Sequence, residues 1–279
     1  MRTITRDFVR VILVAAFCVA PGGAQRAEPD KHVKDIRAEQ TQEFIAASSL
    51  CKRVKVGVHG YIHRREVDPA TLETDLYGLL RNSDDVILAS NFIDEIDALA
   101  PSGEDAIEYY DVKVLRTFKG SHNVGDLVTY TLPRGGIYCG PKPLQGSAVN
   151  SGAVTSTGGS EWGKTRFQGP FVLSLRRARG EETDLTPGFR LAGGDGVQGM
   201  FALRDHYDRV NYTDCLGVLP GGAAKCLAKL EASAETLKIP YGLDPMHKKY
   251  DTMPVNSFLI EVQSVANSLA STGPLSNMK

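Results

Sequence analysis

Between residue 51 and about residue 203, apolar and polar positions alternate in short runs with the two-residue period of half-buried strands. In CKRVKVGVHGYIH (51–63), Val54, Val56, Val58 and Ile62 alternate with Lys55, His59, Tyr61 and His63, which predicts a strand. Asp68-Pro69 then predicts the opening of a helix, with the carboxylate as N-cap and Leu72, Leu76, Leu79 and Leu80 on one face. DDVILASNFI (84–93) is apolar on both faces, as expected of a strand inside a barrel or beneath a covering helix. IEYYDVKVLRTF (107–118) places Tyr110, Val112, Val114 and Phe118 on one side, and LVTYTL (127–132) does the same with Val128, Tyr130 and Leu132. FVLSL (171–175) points Phe171, Leu173 and Leu175 inward. FRLA (189–192) and MFAL (200–203) flank a glycine-rich turn and read as a hairpin.

Outside this stretch the period changes. Residues 25–50 are polar with a weak helical stripe through Val33, Ile36 and Phe44, which reads as a partly helical or disordered segment. The C-terminal region, 211–279, reads as helical. KCLAKLEASAETL (225–237) is one candidate, and PVNSFLIEVQSVANSLA (254–270) carries Phe258, Leu259, Val262, Val265 and Leu269 on one stripe between Pro254 and Gly273-Pro274. The expected fold class is mainly β with flanking helices (α+β). The strands fall in a domain spanning 51–210, interrupted by a Gly/Ser/Pro-rich insertion at 133–168. Closing such strands into a barrel leaves no long exposed edge.

The first residues read differently. Arg2, Arg6 and Arg10 precede the apolar run VILVAAFCVA (11–20), and Gly22 and Ala24 have the small-residue spacing of a cleavage site. Residues 1–24 are therefore expected to be a signal peptide, directing the protein to the periplasm or outside the cell. No later segment is apolar enough to predict a membrane span. With 32 basic and 33 acidic residues, the chain lacks the basic excess of a nucleic-acid binder.

Beyond Cys18 the cysteines are Cys51, Cys139, Cys215 and Cys226. An even number in an exported chain points to two disulfides, for which three pairings exist. The favoured set joins Cys215 to Cys226 across the turn sequence LPGG, and Cys51 to Cys139 as a long-range staple. No two of the four have the close spacing of a zinc pair, so no structural metal is expected.

Two phosphate-binding patterns are discounted. GGSEWGKT (158–165) matches G-x-x-x-x-G-K-T, but polar turn-rich sequence precedes it and Gly169-Pro170 follows, where the motif needs a strand and a helix. GDGVQG (194–199) matches G-x-G-x-x-G, yet no long amphipathic helix follows it to make a βαβ unit. No nucleotide or other cofactor is expected. His59 and His63, four apart on a strand, would lie about 13 Å from each other, too far to share an ion. With Lys55, Tyr61, Arg64 and Arg65 they form an exposed face, and the alternative to a merely solvated one is a patch for a protein, polyanion or polysaccharide partner. Trp162, the only tryptophan, lies in the long insertion, either tucked onto the barrel or offered to a partner. G-x-S-x-G and H-E-x-x-H are both missing, and Glu104/Asp105 and Glu181/Glu182 sit in turn-like stretches.

A family resemblance adds to this. Asn82-Ser83-Asp84 followed by Val86-Ile87 and Ala89, then YDVKVLRTFKG (110–120), Val124-Gly125 and the strand 127–132, resemble the netrin-like module of the tissue inhibitors of metalloproteinases. Lys119-Gly120, Gly135-Gly136, Phe171–Leu175 and Gly199–Phe201 are also similar in spacing to a group of exported bacterial proteins of unknown role. Across residues 82–203 the resemblance implies an OB-like closed β-barrel, with the helical segments as N- and C-terminal additions. It does not imply zinc chelation, because the expected mature start, QRAEPD, lacks the inhibitors' Cys-x-Cys. Together these readings lead to an exported, non-catalytic binding protein. The alternative is a secreted hydrolase whose residues, among them His122, His206 or His247, converge only in three dimensions.

Overall fold

A computed structural model of the protein describes residues 31–53, 61–64, 69–132, 134–137, 139, 170–180, 188–194, 198–203, 245–250 and 253–272. In chain order come helices α1 (Val33–Glu39), α2 (Gln42–Ala47) and α3 (Ser49–Arg53), strand β1 (Tyr61–Arg64), a 3₁₀ turn at Pro69–Thr71 and helix α4 (Leu76–Arg81). Strands β2 (Asp85–Ala89), β3 (Asp94–Leu99), β4 (Ala106–Lys119), β5 (Leu127–Leu132), β6 (Arg134–Ile137), β7 (Phe171–Arg177), β8 (Phe189–Leu191) and β9 (Met200–Ala202) follow. Helices α5 (Pro245–Tyr250) and α6 (Val255–Ser271) end the described chain.

Five strands close a barrel in the order β2-β4-β5-β8-β7 and back to β2. Only β5 and β8 run parallel; the other pairs are antiparallel. Ile87, Val112, Val114, Val128, Tyr130, Phe171, Leu173, Leu175, Phe189 and Leu191 fill the interior. This is the mainly β, OB-like barrel with helical additions that the alternation and the resemblance together predict. The apolar run of β2 is explained by burial on both faces. Ile87 and Ala89 face the barrel interior, while Val86 and Leu88 face an outer layer of α4, α5 and α6. On α6 the buried stripe is Val255, Phe258, Leu259, Val262 and Ala266, with Val265 and Leu269 partly buried beside it.

The long strand β4 does two jobs. Its second half pairs with β2 in the barrel, and its first half, Ala106–Asp111, extends beyond it to pair with β3. β2 and β3 lie along the same edge of β4, interrupted where Ser90 Oγ accepts from the Lys113 N–H. The N-terminal helices cover this extension: Val33 and Ile36 pack on Ile96, Ala98 and Tyr109, while Ile45 and Leu50 pack on Leu99, Ala106 and Ile137. The Cys51–Cys139 disulfide, with Cα atoms 5.2 Å apart, ties α3 to the chain just beyond β6. Cys215 and Cys226 lie outside the described residues, as do the expected signal peptide and the helix 225–237.

Several expectations about elements need correction. Of the strand expected over 51–63, residues 51–53 belong instead to α3, where Ser48 Oγ accepts the Cys51 N–H and Leu50 and Cys51 are buried; Tyr61–His63 are strand, and residues 54–60 lie outside the described residues. Pro69 opens a single 3₁₀ turn, and the helix starts later, with the Asp75 carboxylate accepting the Gly78 N–H at 2.7 Å. Phe118 leaves the side it should share with Val112 and Val114, because the register shift between β2 and β4 at Leu88/Ala89 inserts one extra residue of β4 and so turns it outward onto the helices. FRLA and MFAL do not pair with each other. Both lie antiparallel along one edge of β7, where the Ser174 carbonyl accepts the Ala192 N–H and the Ser174 N–H donates to the Gly199 carbonyl. They are two halves of one strand with a looped excursion between them. At its return, a side chain on residue 199 would meet the Ser174 carbonyl oxygen at 2.5 Å, which is why glycine stands there.

Candidate functional site

Of the predicted partner patch, Tyr61, His63 and Arg64 lie in β1, in register with Ile137, Gly135 and Arg134 of β6. Lys55, His59, Arg65 and Trp162 fall outside the described residues, as does the GGSEWGKT pattern; the stretch that a phosphate loop would continue as helix is instead the strand β7. GDGVQG likewise leads into strand β9 rather than a helix.

The titratable groups that the fold brings together mostly anchor helices to the barrel. Lys119 Nζ donates to the carbonyls of Leu80, Arg81 and Ser83, saturating the C-terminal end of α4 with a cation where the helix dipole favours one. Burial holds its pKa below the usual lysine value. Gly120 follows at φ +104°, and a Cβ there would collide with the Asp85 carboxylate. That carboxylate accepts the Ser121 N–H at 3.0 Å. The Lys-Gly pair singled out by the resemblance is thus a helix clamp followed by a close backbone approach.

Among the described residues, His122 is a histidine with a carboxylate close by. Its Nε2 lies 3.8 Å from Asp85 Oδ1, beyond hydrogen-bond reach, and finds no hydrogen-bond partner among the described residues. The ring packs edge-on against Phe189. A general base needs its orienting carboxylate in contact and an open path to substrate, and this histidine has a buried Nε2 instead. His247 is buried with its Nε2 at 3.1 Å from the Gln198 carbonyl, and the Gln198 side chain in turn clips both the N–H and the carbonyl of Glu73. His206 lies outside the described residues. No group of three or more His, Cys, Asp or Glu among the described residues is placed to hold a metal.

On the other side of the barrel, Asp111 caps α1. Its carboxylate accepts the Val33 N–H and the Thr129 hydroxyl, and His32 Nδ1 lies 3.0 Å from the same hydroxyl. Arg37 grips Asp94 through two parallel bonds of 2.8 and 2.7 Å. Those bonds hold the Asp94 carboxyl below its ordinary value of 3.8, whereas burial raises that of Asp111. The signs oppose. The Asp94 contribution is complete above about pH 4 and is lost as pH falls through the lowered folded-state value. The Asp111 contribution is present in acid and lost as pH rises through the raised one. Asp94→Asn should therefore flatten the acid fall in stability, costing less than about 1 kcal/mol at neutral pH because both partners are about a third exposed. Urea unfolding of both proteins from pH 3 to 6 checks this; identical acid slopes would refute it.

An open groove, about 700 Å³ in volume, lies between α4, the end of β4 and the last turns of α6. Phe118 and Leu269 provide apolar wall, and Arg116 stands over the Phe118 ring at 5.1 Å. Tyr77, 39% exposed, and Arg81 come from α4, and Ala270 from α6. Among the described lining residues Arg81 and Lys119 are cationic, and none is a carboxylate, histidine or cysteine. The Arg81 guanidinium makes no hydrogen bond or ion pair to any described residue. Sequence reasoning places Leu269 on the stripe of α6 but does not single out Tyr77, Arg81 or Ala270, because nothing local marks two helix ends that meet only through the barrel.

Gly135 of β6 lies against the backbone of Ile107, near the start of β4, so the predicted patch strand and the groove belong to opposite ends of that strand. Comparison with known protein families, curated proteins and solved structures finds no match to the chain. Among the described residues no helix is long and apolar enough to cross a membrane.

Proposed function

We propose that this is an exported, non-catalytic binding protein built on a netrin-like variant of the OB-like barrel. The Cys51–Cys139 disulfide supports an oxidising, exported setting, since such bonds persist there and are rare in the cytosol. The composition of the groove carries the binding reading. An apolar wall, a free guanidinium and a half-exposed tyrosine are the elements of a recognition site, and the described residues of its lining hold no acid–base pair to move a proton. The patch around Lys55, His59, Tyr61, His63, Arg64 and Arg65, with Trp162 of the insertion, is in this reading a second surface, suited to a protein or polyanion partner.

The test is affinity capture from the native exported fraction with the intact chain and with Ala270→Trp. Ala270 is exposed and lines the groove, so the indole fills the space without entering the core. Material retained by the intact chain should be lost from the variant. Equal retention by both, or ester, peptide or glycoside hydrolysis that disappears in His122→Ala, would overturn the reading.

A further inference from the structure

We infer that the groove takes a small amphipathic monocarboxylate, its apolar body against Phe118 and Leu269 and its carboxylate on Arg81. The inference rests on the binding reading of the groove and adds the ligand's chemistry. Size comes first: about 700 Å³ lies within the range of about 300–1,000 Å³ typical of small-molecule sites. Charge comes next. Among the described residues two cations and no carboxylate line the groove, so an anion is favoured and a cation opposed.

The two cations are not equivalent. All three N–H bonds of the Lys119 ammonium go to the carbonyls of Leu80, Arg81 and Ser83, so it contributes field without a donor for a ligand. Arg81 keeps its whole fork of donors, whose planar geometry matches a carboxylate in two parallel bonds. A single unspent guanidinium at the rim suits one singly charged head. A phosphate monoester brings up to two charges and three acceptor oxygens, more than one guanidinium satisfies. Phe118, Leu269 and Ala270 then offer apolar contact to the rest of the ligand, beside the polar Thr117 and Thr272.

The test uses the full chain and decanoate below its micelle concentration, followed by titration calorimetry. Decanoate should bind saturably, decanol at least tenfold more weakly, and inorganic phosphate not measurably. Arg81→Gln should weaken decanoate at least tenfold with its melting temperature unchanged, since Arg81 is exposed, and Ala270→Trp should abolish binding. Equal affinity for decanol, no loss in Arg81→Gln, or phosphate binding with the same Arg81 dependence would overturn the inference. If decanoate fails to bind while capture is still lost in Ala270→Trp, the ligand class is wrong and the groove remains a binding site; if both fail, the binding reading fails with it.

Discussion

Replacing both Cys51 and Cys139 by alanine is expected to lower the melting temperature by roughly 10 °C. The two residues are 88 apart in the chain, and on the chain-entropy account closing a loop of that length restricts the unfolded state by about 4–5 kcal/mol. Both sulfurs are buried among Ile45, Leu50, Leu99 and Ile137, so the double replacement also removes some packing. The loss should centre on the N-terminal helices. α3 reaches the sheet extension through this bridge and a small apolar cluster, whereas the barrel keeps its own larger interior. Thermal unfolding by circular dichroism, with amide exchange to locate the change, provides the check. A shift under about 2 °C would mean that packing and hydrogen bonds hold the covering helices without help from the bridge.

Gly120→Ala is the single substitution expected to cost most, at about 2–4 kcal/mol. Two independent penalties add at that position. The backbone φ of +104° lies where an L side chain is strained, and the new methyl would occupy the space of the Asp85 carboxylate and approach the Asp85 Cα at 3.0 Å. Asp85 cannot simply turn away, because it starts β2 in the barrel wall and its carboxylate holds the Ser121 N–H. A double-mutant cycle separates the terms. Asp85→Ala should relieve the collision but leave the backbone strain, so the paired variant should be more stable than the sum of the singles predicts. If Gly120→Ala unfolds within about 0.5 kcal/mol of the parent, the close approach at the end of β4 is not as described.

These two positions differ in how visible they were. The cysteines are conspicuous by type, and Cys51–Cys139 belongs to the favoured one of the three pairings. Gly120 is one of 28 glycines, and only the preceding lysine, within the Lys-Gly turn of the resemblance, distinguished it. The groove left less trace still. Tyr77 and Arg81 look like ordinary polar-face residues of a short helix, and what sets Arg81 apart is the absence of any described partner for its guanidinium.

By itself the sequence determined the strands within 84–93, 107–118, 127–132 and 171–175, which way most of their side chains point, and the helix of 254–270; it marked neither β3 nor β6, the latter inside the expected insertion. Period-two alternation in 107–118, 127–132 and 171–175, and the stripe of 254–270, are local consequences of where each successive Cβ must go. Only the tertiary structure decided which edges meet. Backbone hydrogen bonds carry no residue code, so nothing in FRLA or MFAL shows that both lie along β7 rather than against each other. Bulges are equally silent: one register shift on β4, between Val114 and Arg116, sends Phe118 outward against its own alternation, and that turn makes it a wall of the groove. A site assembled from the end of one helix, the end of a strand and the end of another helix exists only once the barrel brings all three together.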